Sequence, residues 1–561
     1  MPKSSTVWLL AAALALPAAA QHLPAEGAHG AVSSAEIHAT QAGIAIMKQG
    51  GNAVDAAVAV GFTLAVTHSA SGNIGGGGFM LVRQADGQSY FVDFREEAPG
   101  KASPTMYQDA QGNIVKGRSL VGMLASGIPG TVAGLVSAQQ RLGKLTLAQD
   151  MAPAIRLAEQ GFHLDAAEAN GFRHARNLPL FPDSRRVFQR NGNYYKAGDL
   201  FQQPELAATL KRIAADGADG FYKGPVAQAL AAFEKAHGGL ITTADLAHYQ
   251  AKWRQPLQVN YHGYDILTSP PPSSGGVAIV EMLNMLDHSD FVQAGMDSAE
   301  ALHDEIEAQR RAMADRAVYL GDPDFVKIPM ATLLSPAYAA QRWASVHPDQ
   351  ASLSKDVGAG PIPGFESDET THFSTVDPAG DAVAVTYTLN FSYGSGVTAG
   401  HLGFLLNDEM DDFTSKPGAP NGFHLIQGKV NDIEPYKRPL SSMVPTIVAK
   451  DGKLALVLGS PGGPRIITTV FEVLTDVLDF GLNVQQAVDA PRFHQQWMPE
   501  AVYFEGPDRF SPDTLALLKK MGYPIRVQGT WCDVEAIQID PKTGMRLAAT
   551  DPRADGAAIA Y

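Results

Sequence analysis

Asp368-Glu369-Thr370-Thr371-His372-Phe373-Ser374 is where the chain changes character. Upstream, Ala351 to Ser367 is rich in Gly, Pro and small residues without a clear period, and reads as a mobile loop. Downstream, His372 to Asp377 and Ala382 to Thr388 read as strands flanking the turn Asp377-Pro378-Ala379-Gly380. Thr370 stands at the junction. A hydroxyl is a poor nucleophile without a base. Cutting the bond between Glu369 and Thr370 would put both groups on one residue. The new α-amine, with an ordinary pKa near ~8, could take the proton from its own Oγ1. The same hydroxyl can make the cut: Oγ1 attacks the Glu369 carbonyl, an ester forms, and water releases it. Taken alone, a loop entering a strand through two threonines is ordinary, so the weight comes from its surroundings.

Thr388 and Asn390 lie two residues apart at the end of the neighbouring strand and share a face. Asn407-Asp408-Glu409-Met410-Asp411-Asp412-Phe413 gathers carboxylates in a short span, and Lys437-Arg438-Pro439-Leu440-Ser441-Ser442-Met443 offers adjacent hydroxyls. Gly459-Ser460-Pro461-Gly462-Gly463 is a turn whose unobstructed N–H groups could face an oxyanion. Each alone is usually a turn, a cap or a solvated loop. Together they could supply donors for a carboxylate, acceptors for an ammonium and a hole for a tetrahedral intermediate.

Further upstream, Ile37, Ile44 and Met47 give Ala35 to Lys48 a helical spacing. Gly50-Gly51 ends that helix, and Asn52 caps the next, Ala53 to Val66, whose apolar circumference predicts burial. Phe79 to Arg83 and Tyr90 to Phe94 read as strands, with Arg95 at the end of the second. Thr446 to Lys450 and Leu454 to Leu458 read likewise, and Ala299 to Leu320 as a long helix. Strands mixed with helices on both sides imply a layered α/β or α+β architecture.

The rest of the sequence excludes other chemistries. The 561 residues are 45% hydrophobic and 18% charged, as in a compact enzyme with a large core. A net charge of −15 argues against a broad nucleic-acid surface. Gly75 to Gly78 lacks the following Lys-Ser/Thr of a phosphate loop and the spacing of a dinucleotide fingerprint, and no serine sits in G-x-S-x-G, so no cofactor is expected. The lone cysteine, Cys532, allows no intrachain disulfide and reads as structural. His303 and Glu307, four apart on a helix, read as a solvated face rather than metal ligands. Met1-Pro2-Lys3, the apolar Val7 to Leu16 and Ala18-Ala19-Ala20 read as a secretory signal cut after Ala20, with an uncleaved anchor as the alternative. No later stretch reads as a membrane span.

With these residues in view, the chain resembles the γ-glutamyltransferase family, bacterial type, over almost the whole mature sequence. The matching stretches include Gly50 to Ala57, Gly72 to Phe79, Asp93-Phe94-Arg95-Glu96, Pro129 to Gly134, Pro270 to Gly276, Gly321-Asp322-Pro323, Thr370-Thr371-His372, Thr386 to Asn390, Asn407 to Phe413, Arg438 to Met443, Ser460 to Arg465 and Asp551-Pro552-Arg553. The resemblance implies an N-terminal-nucleophile hydrolase fold, a four-layer αββα sandwich. It implies cleavage between Glu369 and Thr370 into a large subunit, 21–369, and a small catalytic subunit, 370–561, that stay together as one intertwined fold. It implies Thr370 as nucleophile supported by Thr388. Arg95, Ser441 and Ser442 would hold the α-carboxylate of a γ-glutamyl group, Asn390, Glu409 and Asp412 its α-ammonium, and Gly462 and Gly463 would form the oxyanion hole. Implied partners are glutathione and other γ-glutamyl compounds, with amino acid or peptide acceptors. Pro417 to Tyr436 matches a lid, and Phe423 falls where many bacterial members carry Tyr, so a gating hydroxyl contact would be missing. Glu409 falls where many carry Gln.

Two other readings compete. A cephalosporin or glutaryl acylase shares this fold and self-cleavage, but accepts a glutaryl group without the α-amine; Glu409 and Asp412 weigh against it. A non-catalytic exported binding protein is the other, and Thr370, Thr388 and Gly462-Gly463 weigh against that.

Overall fold

The computed structural model describes residues 22–358 and 370–561. The expected signal at 1–20, Glu369 and most of the loop before it lie outside the described residues. The described part of that loop holds a helical turn, Ser354–Val357. The Ser354 carbonyl accepts from the Trp497 indole at 2.9 Å, which ties this turn to the body and departs from the expected mobile loop.

Two seven-stranded antiparallel sheets form the centre. One runs Ala557–Ala560, Ala31–Ser34, Thr371–Val376, Ala382–Thr388, Gly77–Arg83, Ser89–Phe94 and Lys252–Arg254. The other runs Ala25–Gly27, Arg546–Ala549, Ala536–Ile539, Lys453–Leu458, Thr446–Lys450, Tyr264–Thr268 and Leu257–Tyr261. Their facing side chains, including Phe79, Leu81, Phe91, Ile266, Ile447 and Val457, make one apolar core. Helices Ala53–Thr67 and Thr131–Leu142 cover the outer face of the first sheet, and Gly275–Leu286, Arg465–Leu478 and Val484–Asp489 lie on the side of the second. The result is a four-layer αββα sandwich.

The local reasons are visible in the sequence. Asn52 accepts from the N–H groups of Val54 and Asp55, while Asp55 accepts from the Asn52 N–H, so two donors that a helix start leaves open are satisfied. Every residue of Ala53–Thr67 is buried, as its continuous apolar surface demands. The tight link between the Thr371–Val376 and Ala382–Thr388 strands is held by Asp377, whose carboxylate accepts from the N–H groups of Ala379, Gly380 and Asp381.

The glycine run has a packing role. A Cβ on Gly76 would lie 1.9 Å from the Thr388 carbonyl oxygen, and one on Gly75 would lie 2.0 Å from that of Leu405. Only glycine lets these backbones approach. Asn73 then donates to the Thr388 carbonyl at 2.8 Å and accepts from the Gly76 N–H at 2.8 Å, fixing the end of the Ala382–Thr388 strand.

His303 and Glu307 correct an expectation. Both are buried on the helix Ala299–Tyr319 and neither faces solvent. Tyr523 lies 2.7 Å from His303 Nδ1 and donates to Glu307 at 2.9 Å, and Glu307 forms an ion pair with Arg311 at 2.5 Å. Burial would raise Glu307, but Arg310 and Arg311 hold it down at about 2. The i, i+4 spacing was legible; the partners that bury it come from elsewhere in the chain.

Candidate active site

Thr370 immediately precedes the strand Thr371–Val376, which places its side chain at the edge of the space between the sheets and the 409–442 loops. It shares one cavity of about 20 Å³ with Arg95, Thr388, Asn390, Glu409, Asp412, Ser441, Ser442 and Gly463. Phe423, Leu425, Met443 and Ile466 complete the wall. Of the residues expected in the site, Gly462 lies just outside this lining, and Glu369 lies outside the described residues.

Around the threonine, Thr388 Oγ1 donates to Thr370 Oγ1 at 3.4 Å and accepts from the Asn390 N–H at 2.8 Å. Asn390 has φ +81°, in the left-handed region that asparagine tolerates better than most residues, and its amide donates to the Asp408 carbonyl at 3.1 Å. Gly462 and Gly463 turn the chain with φ of +128° and +54°. A Cβ on Gly462 would meet Cys532 Sγ at 2.2 Å, and one on Gly463 would meet the Phe423 ring at 2.7 Å. This turn therefore requires glycine on both conformational and steric grounds. His372, one strand position further in, is fully buried against Gly459 and hydrogen-bonds Thr386 at 2.8 Å. Burial pushes it down to about 3, so its ring stays neutral at neutral pH.

The charged wall is preassembled. Arg95, directly after the strand Ser89–Phe94, pairs with Glu409 and with Asp412, and donates Nε to the Pro439 carbonyl at 3.2 Å. Burial raises Asp412 above the usual carboxylate range, while Arg95 and Arg316 pull it back. The adjacent hydroxyls are held from behind. Ser441 receives a backbone hydrogen bond from Ser274 at 2.7 Å and donates its own N–H to Pro272 at 2.9 Å. The Pro270–Gly276 stretch thus clamps the Ser441-Ser442 pair.

Two neighbours of the site, Arg316 and Phe391, escaped the sequence reading, and it gave no place in the site to Glu96 or to Cys532, which it read as structural. Arg316 is fully buried; it donates to Ser274 Oγ at 2.8 Å and to Ser442 Oγ at 3.3 Å. Burial brings it down to about 10, which leaves it cationic at neutral pH. Glu96 is buried behind Arg95, 3.5 Å away, and burial pushes it up to about 8. Phe391 stacks on Phe423 with centroids 4.4 Å apart and planes 12° apart. Cys532 backs the Gly462 turn. No short motif marks Arg316 or Phe391, since each is defined by what packs against it.

The stretch expected to be a lid covers the cavity in this structure. Asn421 donates to Asp412 at 3.3 Å and accepts from the N–H groups of Phe423 and Leu425. Asp411 accepts from the Gly422 N–H at 2.6 Å and from Ser119 at 2.6 Å, with burial lifting it to about 6. In place of a gating hydroxyl, Phe423 offers its ring to Phe391 and to the Gly463 turn.

The sandwich of two antiparallel sheets between helices, with a threonine at the head of a central strand, has the N-terminal-nucleophile hydrolase fold. Comparison with known proteins narrows this. The family described as gamma-glutamyltranspeptidase matches residues 39–561. A glutathione hydrolase proenzyme of Escherichia coli K12 is 47% identical over 94% of this chain and 91% of its own. Among solved structures, a cephalosporin acylase from Bacillus halodurans superposes with a TM-score of 0.86 at 28% identity, covering 98% of this chain and 99% of its own. The gamma-glutamyltranspeptidase of Helicobacter pylori gives a TM-score of 0.57 at 42% identity, covering 58% of this chain and 93% of its own. The chain belongs to the γ-glutamyltranspeptidase family.

Proposed function

We infer that this chain is an exported γ-glutamyltransferase and glutathione hydrolase that matures by cutting the Glu369–Thr370 bond and then uses Thr370 as its nucleophile. The observation that carries the reading is one small cavity in which a strand-leading threonine shares the lining with a buried arginine, Arg95, and two buried carboxylates, while a second buried arginine, Arg316, stands behind Ser442. A γ-glutamyl group is a zwitterion at its α-carbon. Its carboxylate suits Arg95, with Ser441 and the Ser442 hydroxyl that Arg316 holds; its ammonium suits Glu409, Asp412 and the Asn390 amide.

In this mechanism Thr370 Oγ1 attacks the γ-carbonyl carbon and its proton passes to the Thr370 α-amine. The oxyanion is met by the N–H groups of the Gly462-Gly463 turn. The C–N bond breaks, the proton goes to the leaving amine, and a γ-glutamyl ester remains on Oγ1. Water or an acceptor amine then attacks that carbonyl, and Oγ1 leaves with the proton returned. Cutting the chain before Thr370 need not separate the pieces. The strand Thr371–Val376 is hydrogen-bonded to Ala31–Ser34, which in turn pairs with Ala557–Ala560, so large and small subunits alternate within one sheet. Among the described residues no helix is long and apolar enough to cross a membrane. The signal expected at residues 1–20 would make this a periplasmic or secreted enzyme.

The test is release of p-nitroaniline from γ-glutamyl-p-nitroanilide, quickened by an amino acid or dipeptide acceptor. No release would return the reading to a binding protein. The lid adds a second expectation. Loss of an aromatic pair costs about 0.5–1.5 kcal/mol beyond burial, so Phe423→Ala loosens the closed lid. It raises hydrolysis relative to transfer roughly three- to tenfold. Phe423→Tyr keeps the ring and shifts the ratio less. An unchanged ratio in Phe423→Ala across a range of acceptor concentrations would remove Phe423 from this role.

Glu96 sets a pH expectation. Its folded pKa of about 8 lies above the unfolded value, so the neutral form is favoured in the fold. The stability it contributes is present at low pH and is lost as pH rises through about 8. Over the same range the new negative charge behind Arg95 competes with the substrate carboxylate. The kcat/KM for a γ-glutamyl donor therefore falls above pH 8, and Glu96→Gln flattens that limb. A limb identical in the variant assigns the fall to another group.

A further inference from the structure

The catalytic cavity has room for about one water, whereas a cleft of about 830 Å³ lies directly behind its wall. The wall is thin. Asn390 lines the cavity and the next residue, Phe391, lines the cleft; Glu409 lines the cavity and the preceding residue, Asp408, lines the cleft. Phe423 faces the cavity and Phe391 the cleft, so their stacked pair forms the partition. Gly422, beside Phe423 on the lid, lines the cleft as well.

The far side of the cleft is the end of the helix Ala166–His174 and the residues that follow it. That side is fixed to the partition. The Asn177 amide donates to the Gly394 carbonyl at 2.7 Å, and the Phe391 N–H donates to Asp408 at 3.0 Å. The charges are asymmetric. Arg176 and His174 stand exposed at the rim. The two acids on the floor are muted: Glu168 is engaged by His68 at 2.9 Å, and burial pushes both Glu168 and Asp408 up. Val121, also at the rim, is 40% exposed. The size is that of a site for a small peptide rather than a macromolecule.

We propose that this cleft holds the non-γ-glutamyl partner of the reaction, an amino acid or short peptide with a free carboxylate, with Arg176 as the carboxylate's counter-charge. This rests on the transferase reading. The same chemistry describes two occupants. One is the peptide amine expelled when the γ-amide C–N bond breaks and the ester to Thr370 Oγ1 forms. The other is the acceptor, whose amine forms the new N–C bond as the ester C–O bond breaks, its proton passing through the Thr370 α-amine to Oγ1. The partition is held by ring-to-ring packing, so lid movement at Phe423 joins the two spaces.

The experiment uses the mature wild-type enzyme and two rim variants, Arg176→Ala and Val121→Glu, with γ-glutamyl-p-nitroanilide as donor. Acceptors are glycylglycine and glycylglycinamide, which differ only in the carboxylate. A charge-assisted contact at a solvated rim is worth about tenfold. Wild type therefore prefers glycylglycine, and each variant loses about tenfold of that preference, through the acceptor KM. With glutathione as donor, whose leaving group carries a carboxylate, the variants lose a similar factor relative to γ-glutamyl-p-nitroanilide, whose leaving group carries none. A variant loss confined to glycylglycine assigns the cleft to the acceptor, and one confined to glutathione assigns it to the leaving peptide; either supports the site. Unchanged preferences in both variants, or equal losses with the amide and the acid, overturn it. A wild type inert towards γ-glutamyl-p-nitroanilide overturns the transferase reading itself.

Discussion

Thr370→Ala is expected to purify as one uncleaved chain with no measurable turnover of a γ-glutamyl donor, while the wild type separates into chains of about residues 21–369 and 370–561. Both steps use the same Oγ1. Without it, no ester forms at Glu369, so the α-amine that would serve as base is never released. Loss of a hydroxyl nucleophile costs about a million-fold in serine hydrolases; here the missing base compounds that loss. Thr370→Ser keeps an oxygen and should still cleave, more slowly. Thr388→Ala leaves the oxygen in place and removes a hydroxyl that lies 3.4 Å from it, so it should cut and turn over at a reduced rate. Gel electrophoresis and N-terminal sequencing of the purified chains decide the matter. Normal processing of Thr370→Ala would end the self-cleavage claim.

What could be read from the sequence was what local chemistry encodes. The helix Ala53–Thr67 was legible because its cap, its glycine boundary and its apolar circumference are all contained in adjacent residues. The strand Ala382–Thr388 and the turn before it were legible for the same reason. Sheet order was not. Thr371–Val376 pairs with Ala31–Ser34 more than three hundred residues away, and nothing in either strand names its partner. Arg316 shows a second limit. The helix Ala299–Tyr319 carries many charges, which at sequence level look solvated, yet Arg310, Arg311 and Arg316 are all buried. A buried arginine is recognised only by its acceptors, and for Arg316 these are Ser274 and Ser442. The missing lid hydroxyl was legible at Phe423, but not the Phe391 ring that packs there instead.

Charge separates the transferase from the acylase, and the second large effect follows from it. Two cations, Arg95 and Arg316, and two carboxylates, Glu409 and Asp412, share the buried wall, with Arg95 in contact with both acids. A γ-glutamyl donor adds one negative and one positive charge, so the wall can exchange its internal pairs for pairs with the substrate. The α-carboxylate takes up the Arg95 fork, and the α-ammonium replaces Arg95 beside Asp412. A glutaryl donor adds only the carboxylate. It would draw on Arg95 and leave Asp412 without a cation in contact, opposed only by the more distant Arg316, in a site lined by Phe423. An uncompensated buried charge costs on the order of 3–5 kcal/mol, or roughly two to four powers of ten in rate. The wild type is therefore expected to prefer γ-glutamyl-p-nitroanilide to glutaryl-p-nitroanilide by about that factor in kcat/KM. Asp412→Asn narrows the preference mainly by slowing the γ-glutamyl substrate, because an amide neither repels the glutaryl group nor balances the ammonium. Arg95→Ala slows both, since both carry the carboxylate, and it also strands Glu409 and Asp412 together. Near-equal wild-type rates on the two donors would move the assignment to the acylase, a function for which the cephalosporin acylase of Bacillus halodurans shows this same sandwich to be suited.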